Sequence, residues 1–281
     1  IEASMVGNDG QDEDTFSKHY QRTINTLLEL QTLPAPHFTE NQHKYVAPKN
    51  IDDLAFELKA EPDSTIVAGG TDLALAVTQN LASIPKLIYV GNVEELTTIT
   101  ETATDIVIGS ALPYSQFITT LHQYYPELGE MIERIGSRQI RNTGTLGGNI
   151  GNASPIGDMP PALIALGASI TLHLNGVERT MLVEDFFVDY KQTLLKPSEF
   201  IKSVHIPKPQ EGQTLKLYKI SKRIDDDISA VALGVNMRIQ DHKLDTVILG
   251  FGGLAATPAI ALHTASKLTG LDPHGVSITD L

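Results

Sequence analysis

Five glycines, Gly144, Gly147, Gly148, Gly151 and Gly157, crowd the stretch RNTGTLGGNIGNASPIGD between Arg141 and Asp158. Each gives up more chain entropy on folding than alanine would, so the cluster marks positive-φ turns or a backbone that something else must approach closely. Beside Gly147 and Gly148 stand the hydroxyl of Thr145 and the amide of Asn149, both able to bond a ligand, and Asp158 supplies a carboxylate that can accept from a ribose hydroxyl. A shorter cluster lies upstream in IVAGGTDLALAV, where a strand-like run enters Gly69-Gly70 and Thr71 or Asp72 can cap a following helix. Free N–H groups then point at one spot, a nest that holds phosphate without any basic side chain. Taken alone, the first stretch is also a glycine loop at a sheet edge and the second a capped strand-turn-helix corner. Together they suggest two turns clamping one pyrophosphate.

Two other stretches invite rival readings. YKISKRIDDDISAV sets Lys219, Lys222 and Arg223 before Asp225, Asp226 and Asp227. It is either a charged hairpin turn on a solvated face or a turn that brings Lys219 to a bound cofactor. GFGGLA, Gly250 to Ala255, has the form G-x-G-x-x-A after the strand-like LDTVIL. A dinucleotide fingerprint needs a helix opening inside the motif, a second parallel strand and an acidic residue about 20 positions on, and Thr257-Pro258 delays the helix. It is set aside as a nucleotide site.

Composition removes whole classes of chemistry. With no cysteine there are no disulfides, thiolate metal sites or cysteine nucleophiles, and the nine histidines show neither H-x-x-x-H nor H-E-x-x-H spacing. The formal net charge of -13 argues against nucleic acid or an anionic membrane surface as partner, since both require a basic patch. Any phosphate is therefore expected on backbone amides more than on lysines. No uncharged run reaches the roughly 18 residues of a membrane helix, and the acidic opening IEASMVGNDGQDED is unlike a signal peptide, so a cytoplasmic protein is expected. Because the sequence begins at Ile1, a piece of a larger polypeptide is expected too.

The glycine turns need elements to hold them. An acidic tail and one helix (HYQRTINTLLELQTL) precede a linker punctuated by Pro34 and Pro36; then come a helix at IDDLAFELKA, a strand at TIVA, a helix at DLALAVTQN and a strand at KLIYV, a βαβ unit in outline. Strands at TTIT and DIVIGS, helices at PYSQFITTLHQYY and GEMIERIG, a helix at PPALIALG and strands at SITLHL, ERTMLV and FIKSVHIP follow. Helix and strand mix without strict alternation, which predicts an α+β class. Beyond Pro207 and Pro209 the strands lengthen (LKLYKIS, ISAVALGVNMRIQ, LDTVILGFGG) before a helix from about Pro258 to Leu268.

AGGTDL (Ala68 to Leu73), IRNTGTLGGNIGNASPIGDMPPALIALGA (Ile140 to Ala168), SKRIDDDISAV and FGGLAATP, in this order, resemble the FAD-binding part of the molybdenum hydroxylases, and among these the flavin-carrying small subunit of bacterial xanthine dehydrogenases. The resemblance runs from about Tyr45 to Leu268. It implies a tail and linker helix over 1–40, a two-lobed FAD-binding domain of the vanillyl-alcohol-oxidase (PCMH) type over 41–207, and a small, incomplete α+β C-terminal domain of the CO-dehydrogenase flavoprotein type over 208–281. By motif it assigns Val67, Ala68, Gly69, Gly70, Thr71, Asp72, Leu73, Thr145, Gly147, Gly148, Asn149 and Asp158 to FAD. Alignment outward from the motifs puts Ile135 and Ile201 near the isoalloxazine, as apolar walls, and Lys219 beside it.

The activity so implied is an electron relay. A purine is hydroxylated at a molybdenum cofactor on a large partner subunit, electrons cross 2Fe-2S clusters held by a further cysteine-bearing domain, and FAD passes hydride to NAD. No side chain of this chain need act as nucleophile or general base. Two rivals stand beside it: a self-contained flavin reductase or oxidase of the same fold, such as the UDP-sugar enoyl reductases, and a non-catalytic nucleotide-binding module.

Overall fold

The computed structural model describes residues 17–273; the expectations of an acidic tail and of a truncated C-terminus concern residues 1–16 and 274–281, outside that range. The chain divides into two units, 1–36 and 37–281. The first carries helix α1 (Tyr20–Gln31), whose Tyr20, Ile24, Leu27 and Leu28 recur at helical spacing.

The second unit is α+β and built on three main sheets. Its first lobe contains β1 (His37–Glu40), β2 (His43–Val46), α2 (Ile51–Ala60), β3 (Thr65–Val67), α3 (Leu73–Thr78) and β4 (Lys86–Tyr89), with strand order β1-β2-β4-β3. β4 runs parallel to both β2 and β3, which are joined through helices as a parallel pairing requires. Helix α2 starts where the Asn50 side chain accepts from the Asp53 N–H at 2.8 Å, and it buries Ile51, Leu54 and Leu58, spaced three and four apart. β1, within the expected linker, pairs antiparallel with β2 around Asn41, which takes a left-handed φ of 54°.

The second lobe follows in order: β5 (Ile99–Glu101), β6 (Asp105–Gly109), α4 (Tyr114–Tyr124), α5 (Pro126–Glu133), α6 (Arg138–Arg141), α7 (Leu146–Gly151), α8 (Met159–Ala165), β7 (Ser169–Leu174), β8 (Val177–Leu182), α9 (Val183–Phe186), β9 (Phe187–Asp189), β10 (Gln192–Thr193) and β11 (Phe200–Pro207). Five of these strands form an antiparallel sheet in the order β5-β6-β11-β7-β8. Its core joins Ile106, Ile108, Ile170, Leu172, Val204 and Ile206 of the strands to Phe117, Leu121, Leu128, Ile132, Leu146 and Leu163 of the helices.

The C-terminal part is a second antiparallel sheet, β12 (Gln213–Ile220), β13 (Val231–Gln240), β14 (Lys243–Gly252) and β15 (Ala259–Ile260), followed by α10 (Leu262–Leu268). The expected helix from Pro258 thus begins later, because Ala259 and Ile260 pair with Phe251 and Gly250 first. Helix α8 is buried along its whole length and packs on β13 and β14. A Cβ on Gly250 would sit 2.2 Å from the Pro161 carbonyl oxygen, and one on Gly234 would sit 2.7 Å from it. Gly234 and Gly250 therefore let a helix lie directly on a sheet, and GFGGLA owes its first glycine to packing.

On β7, His173 is buried with its ring 5.0 Å from that of Phe200, and on β11 His205 bonds Thr171 at 2.9 Å and Ser203 at 3.0 Å. Burial lowers both imidazoles below their ordinary value of 6.5. A histidine depressed in the folded state binds fewer protons than when unfolded, so its contribution is fully present above pH 6.5 and is lost as pH falls through the folded value. The melting temperature measured between pH 8 and 5 is expected to fall from about 6.5 downward, and His205→Asn to flatten that slope. An equal slope in the variant would exclude His205 as a source.

Candidate functional site

The first turn leaves β3 at Val67 and reaches α3 at Leu73. Gly70 takes φ +67°, a region a side chain enters at a cost, and so turns the chain between the strand and the helix. Ala74 N–H donates to Gly70 O and Leu75 N–H to Asp72 O, but among the described residues the N–H groups of Gly69, Gly70, Thr71 and Asp72 have no protein acceptor. The Asp72 side chain makes no cap bond.

The second turn meets the first. A Cβ on Gly69 would stand 1.9 Å from Thr143 O and 2.9 Å from Gly144 N, so the two glycine turns touch backbone to backbone. Gly144 is fixed in turn by its carbonyl, which accepts from Tyr114 N–H at 3.0 Å, and by the bridge between Pro113 and Thr145. Thr145 then caps α7: its side chain accepts from Gly148 N–H at 3.0 Å. Helix, not loop, is the outcome for LGGNIG, and neither Gly147 nor Gly148 has a positive φ. Of the two roles open to these glycines, close approach is the one observed. Gly147 lies where a Cβ would be 2.5 Å from Ser110 O, and Gly148 faces open space apart from Thr145 Oγ1 at 2.9 Å.

Both turns open into one cavity of about 830 Å³, near the upper end of the usual range for small-molecule and cofactor sites. Val67, Ala68, Gly69, Gly70, Thr71, Asp72, Leu73, Thr145, Gly147, Gly148, Asn149 and Asp158 all line it, and so do Ile135 and Ile201. Lys219 does not. Its ammonium is buried behind Asp158, 2.7 Å from Oδ2, and donates to Arg134 O at 2.9 Å, while Ser229 donates to Asp158 Oδ1. Both carboxylate oxygens of Asp158 are therefore engaged, with lone pairs left over for a hydroxyl on the cavity side.

Residues that motif reasoning passed over also form the wall: Ser110, Tyr114, Asn152, Phe200, Arg223 and Ile228. Ser110 comes from the end of β6 and Tyr114 from the start of α4, joined to the glycine turns by contacts between segments far apart in sequence. Arg223 lies in the charged stretch whose better reading by sequence alone is a solvated turn. Two wall groups are buried polar atoms without a hydrogen-bond partner among the described residues, Asn149 Oδ1 and Tyr114 OH. Burial first, and the charge of Asp158 second, push the Tyr114 phenol far above its ordinary value, so it is a neutral donor.

A cradle of unpaired amides, a glycine that leaves open space, unsatisfied buried polar groups and apolar walls together fit a ligand with an oxyanion centre and a planar apolar end. FAD has both. A lobe with a mixed α/β sheet, a lobe with a five-stranded antiparallel sheet and a third small sheet, enclosing such a cavity, define a dinucleotide-binding flavoprotein class.

Comparison with known proteins gives the family. Residues 38–209 match the FAD binding domain in molybdopterin dehydrogenase, residues 216–279 match the CO dehydrogenase flavoprotein C-terminal domain, and the chain belongs to this molybdenum hydroxylase flavoprotein family. It is 31% identical over 242 residues to xanthine dehydrogenase/oxidase of Gallus gallus and 29% identical over 254 residues to a nicotinate hydroxylase of Emericella nidulans. These alignments cover 81% and 83% of this chain but only 18% and 19% of the relatives, so the chain spans less than a fifth of their length. Reconstituted CO dehydrogenase from Oligotropha carboxidovorans superposes with a TM-score of 0.77 at 27% identity, covering 84% of this chain and 83% of that one. Among the described residues no helix is long and apolar enough to cross a membrane, and no group of His, Asp and Glu is arranged to hold a metal ion.

Proposed function

We propose that the chain is the flavin-carrying relay of a xanthine-dehydrogenase-like enzyme, which receives electrons from a molybdenum cofactor and 2Fe-2S clusters on partner domains or subunits and delivers them to NAD during purine oxidation. The observation that carries this reading is the backbone contact of Gly69 with Thr143 and Gly144, which brings both glycine turns to one cavity. Bound FAD would supply the redox chemistry, accepting electrons and giving hydride to the nicotinamide.

The work of the chain is to bind and orient. The N–H groups of Gly69 to Asp72 and the open side of Gly148 would hold the pyrophosphate, with Val67, Ala68, Leu73, Thr145, Gly147 and Asn149 shaping the cradle. Fixed amides favour the anion without a lysine, in keeping with the net charge of -13. Asp158 would accept from a ribose hydroxyl, and Ile135 and Ile201, both buried, would exclude water from the ring faces. Lys219 would act through Asp158, which it holds in place.

An anaerobic NADH titration of the purified chain, followed in the visible spectrum, tests the relay. Flavin bands that bleach with NADH support both the cofactor and the acceptor; bands that persist under NADH but bleach with dithionite overturn NAD as acceptor. A colourless protein that cannot be reconstituted with FAD overturns the reading.

A further inference from the structure

Between the end of β10 at Thr193 and the start of β11 at Phe200 the chain forms neither helix nor strand, yet Leu195, Phe200 and Ile201 all stand in the cavity wall. The segment also spans the two lobes. The Ser198 hydroxyl donates to Leu58 O of α2 at 2.9 Å and Phe200 joins the first lobe's core with Leu54 and Leu58, whereas Ile201 belongs to the core of the second lobe and Leu195 packs against it. With no ladder of its own, the segment takes its course from Arg179 on β8. The guanidinium donates from Nε to Glu199 Oε1 at 2.8 Å, and from Nη2 to Glu199 Oε2 and to Leu194 O, both at 2.7 Å. Glu199 is 6% exposed, and its Oε2 also accepts from Lys196 N–H at 2.9 Å. The bond from Arg179, first among the causes, holds this carboxyl below its ordinary value against the effect of burial. Two parallel bonds to the carboxylate and a third to the backbone fix direction as well as distance, which a single ammonium cannot do. The Leu195 N–H itself has only a long bond, 3.4 Å to Thr193 Oγ1. Leu195 is therefore placed mainly through Leu194, whose N–H donates to Phe186 O at 3.0 Å and whose carbonyl Arg179 holds.

We propose that Arg179, paired with Glu199, is a positioning residue for the bound flavin nucleotide: it fixes the segment 194–199 between the lobes and thereby holds Leu195 in the cavity wall against the ligand. The proposal rests on the FAD reading above. Arg179 does not line the cavity, so it acts through the segment alone. A buried ion pair is a weak source of net stability, since well-packed apolar side chains serve as well, but an apolar pair could not hold Leu194 O.

The test is a double-mutant cycle on the apoprotein, with FAD affinity read by calorimetry. Arg179→Lys keeps a positive charge beside Glu199 but gives up the fork, and Leu195→Ala shortens the wall residue itself. Each is expected to weaken FAD binding by about 10-fold. The two combined are expected to weaken it by about 10- to 20-fold, well short of the roughly 100-fold of independent losses, because both act on one stretch of wall. An arginine with a merely structural role would lower the melting temperature without that coupling. Arg179→Met together with Glu199→Gln, which strands no charge, enters the same cycle and is expected to couple to Leu195→Ala in the same way. FAD affinity within about twofold of the parent in either single variant, or losses that multiply, would overturn the positioning role while leaving the FAD reading standing. A parent protein that takes up no FAD would sink the reading and the role together.

Discussion

Gly69→Ala is expected to cut FAD affinity by about 100-fold or more and to lower the stability of the apoprotein as well. The added methyl would lie 1.9 Å from Thr143 O and 2.3 Å from its carbonyl carbon, where ordinary contact begins at 3.4 Å. Neither atom is the end of a flexible side chain, so the two turns must separate by about 1.5 Å. Overfilling a packed contact costs roughly 1–3 kcal/mol. Losing even two amide bonds to an anion, at roughly 1.5–3 kcal/mol each, accounts for the affinity loss. The neighbouring Gly70→Ala makes a useful contrast. Its Cβ would meet only Val67 Cγ2 at 3.5 Å, so the change imposes the strain of a left-handed φ, about 1–2 kcal/mol, without driving the turns apart. Titrating both variants with FAD settles the matter: Gly69→Ala binding within about threefold of the parent would show that the contact between the turns does not set the cavity.

The same contact explains which parts of the protein were legible in its sequence. Helix α2 and strands β7 and β11 fall where their patterns place them, because each declares itself locally: Asn50 as cap with Ile51, Leu54 and Leu58 on one face, and short apolar-rich runs, mostly buried, in SITLHL and FIKSVHIP. The glycine clusters were legible as a cradle because density of glycine is itself a signal. What each glycine does was not, since it depends on atoms elsewhere in the chain. Gly147 answers to Ser110, Gly69 to Thr143, and Gly250 to Pro161. Helix α7 contains three glycines that disfavour it, and it forms because Thr145 caps it while Leu146 and Ile150 enter the core. A two-residue strand such as β15 has no pattern of its own and exists through its pairing with β14. The partner of Lys219 was hidden for the same reason, being 61 residues away.

That partnership yields the second large effect. Lys219→Met is expected to destabilise the protein by about 3–5 kcal/mol, as removal of one member of a buried ion pair leaves the other charge uncompensated. The lysine side chain is 1% exposed and Asp158 11%, and Arg134 closes the arrangement by donating to Lys219 O at 3.2 Å while accepting from its ammonium. The pair therefore joins the end of α5 and the start of α8 to β12, so the cost appears as a lower urea midpoint for the whole second unit. Adding Asp158→Asn removes the stranded charge and keeps an acceptor for Ser229, so the double variant is expected to be more stable than Lys219→Met alone. A double variant that is less stable than the single one would overturn the account of the cost as a stranded charge on Asp158. The same set separates the two ways in which a lysine can serve a flavin. If Lys219 acts by holding Asp158, single and double variants change FAD affinity and leave the flavin potential near that of the parent. If instead the ammonium reached the isoalloxazine, its removal would lower the potential in both variants, because a cation beside the ring favours the reduced anion. The observed geometry, with the carboxylate in the cavity wall and the ammonium paired to it outside that wall, predicts the first result.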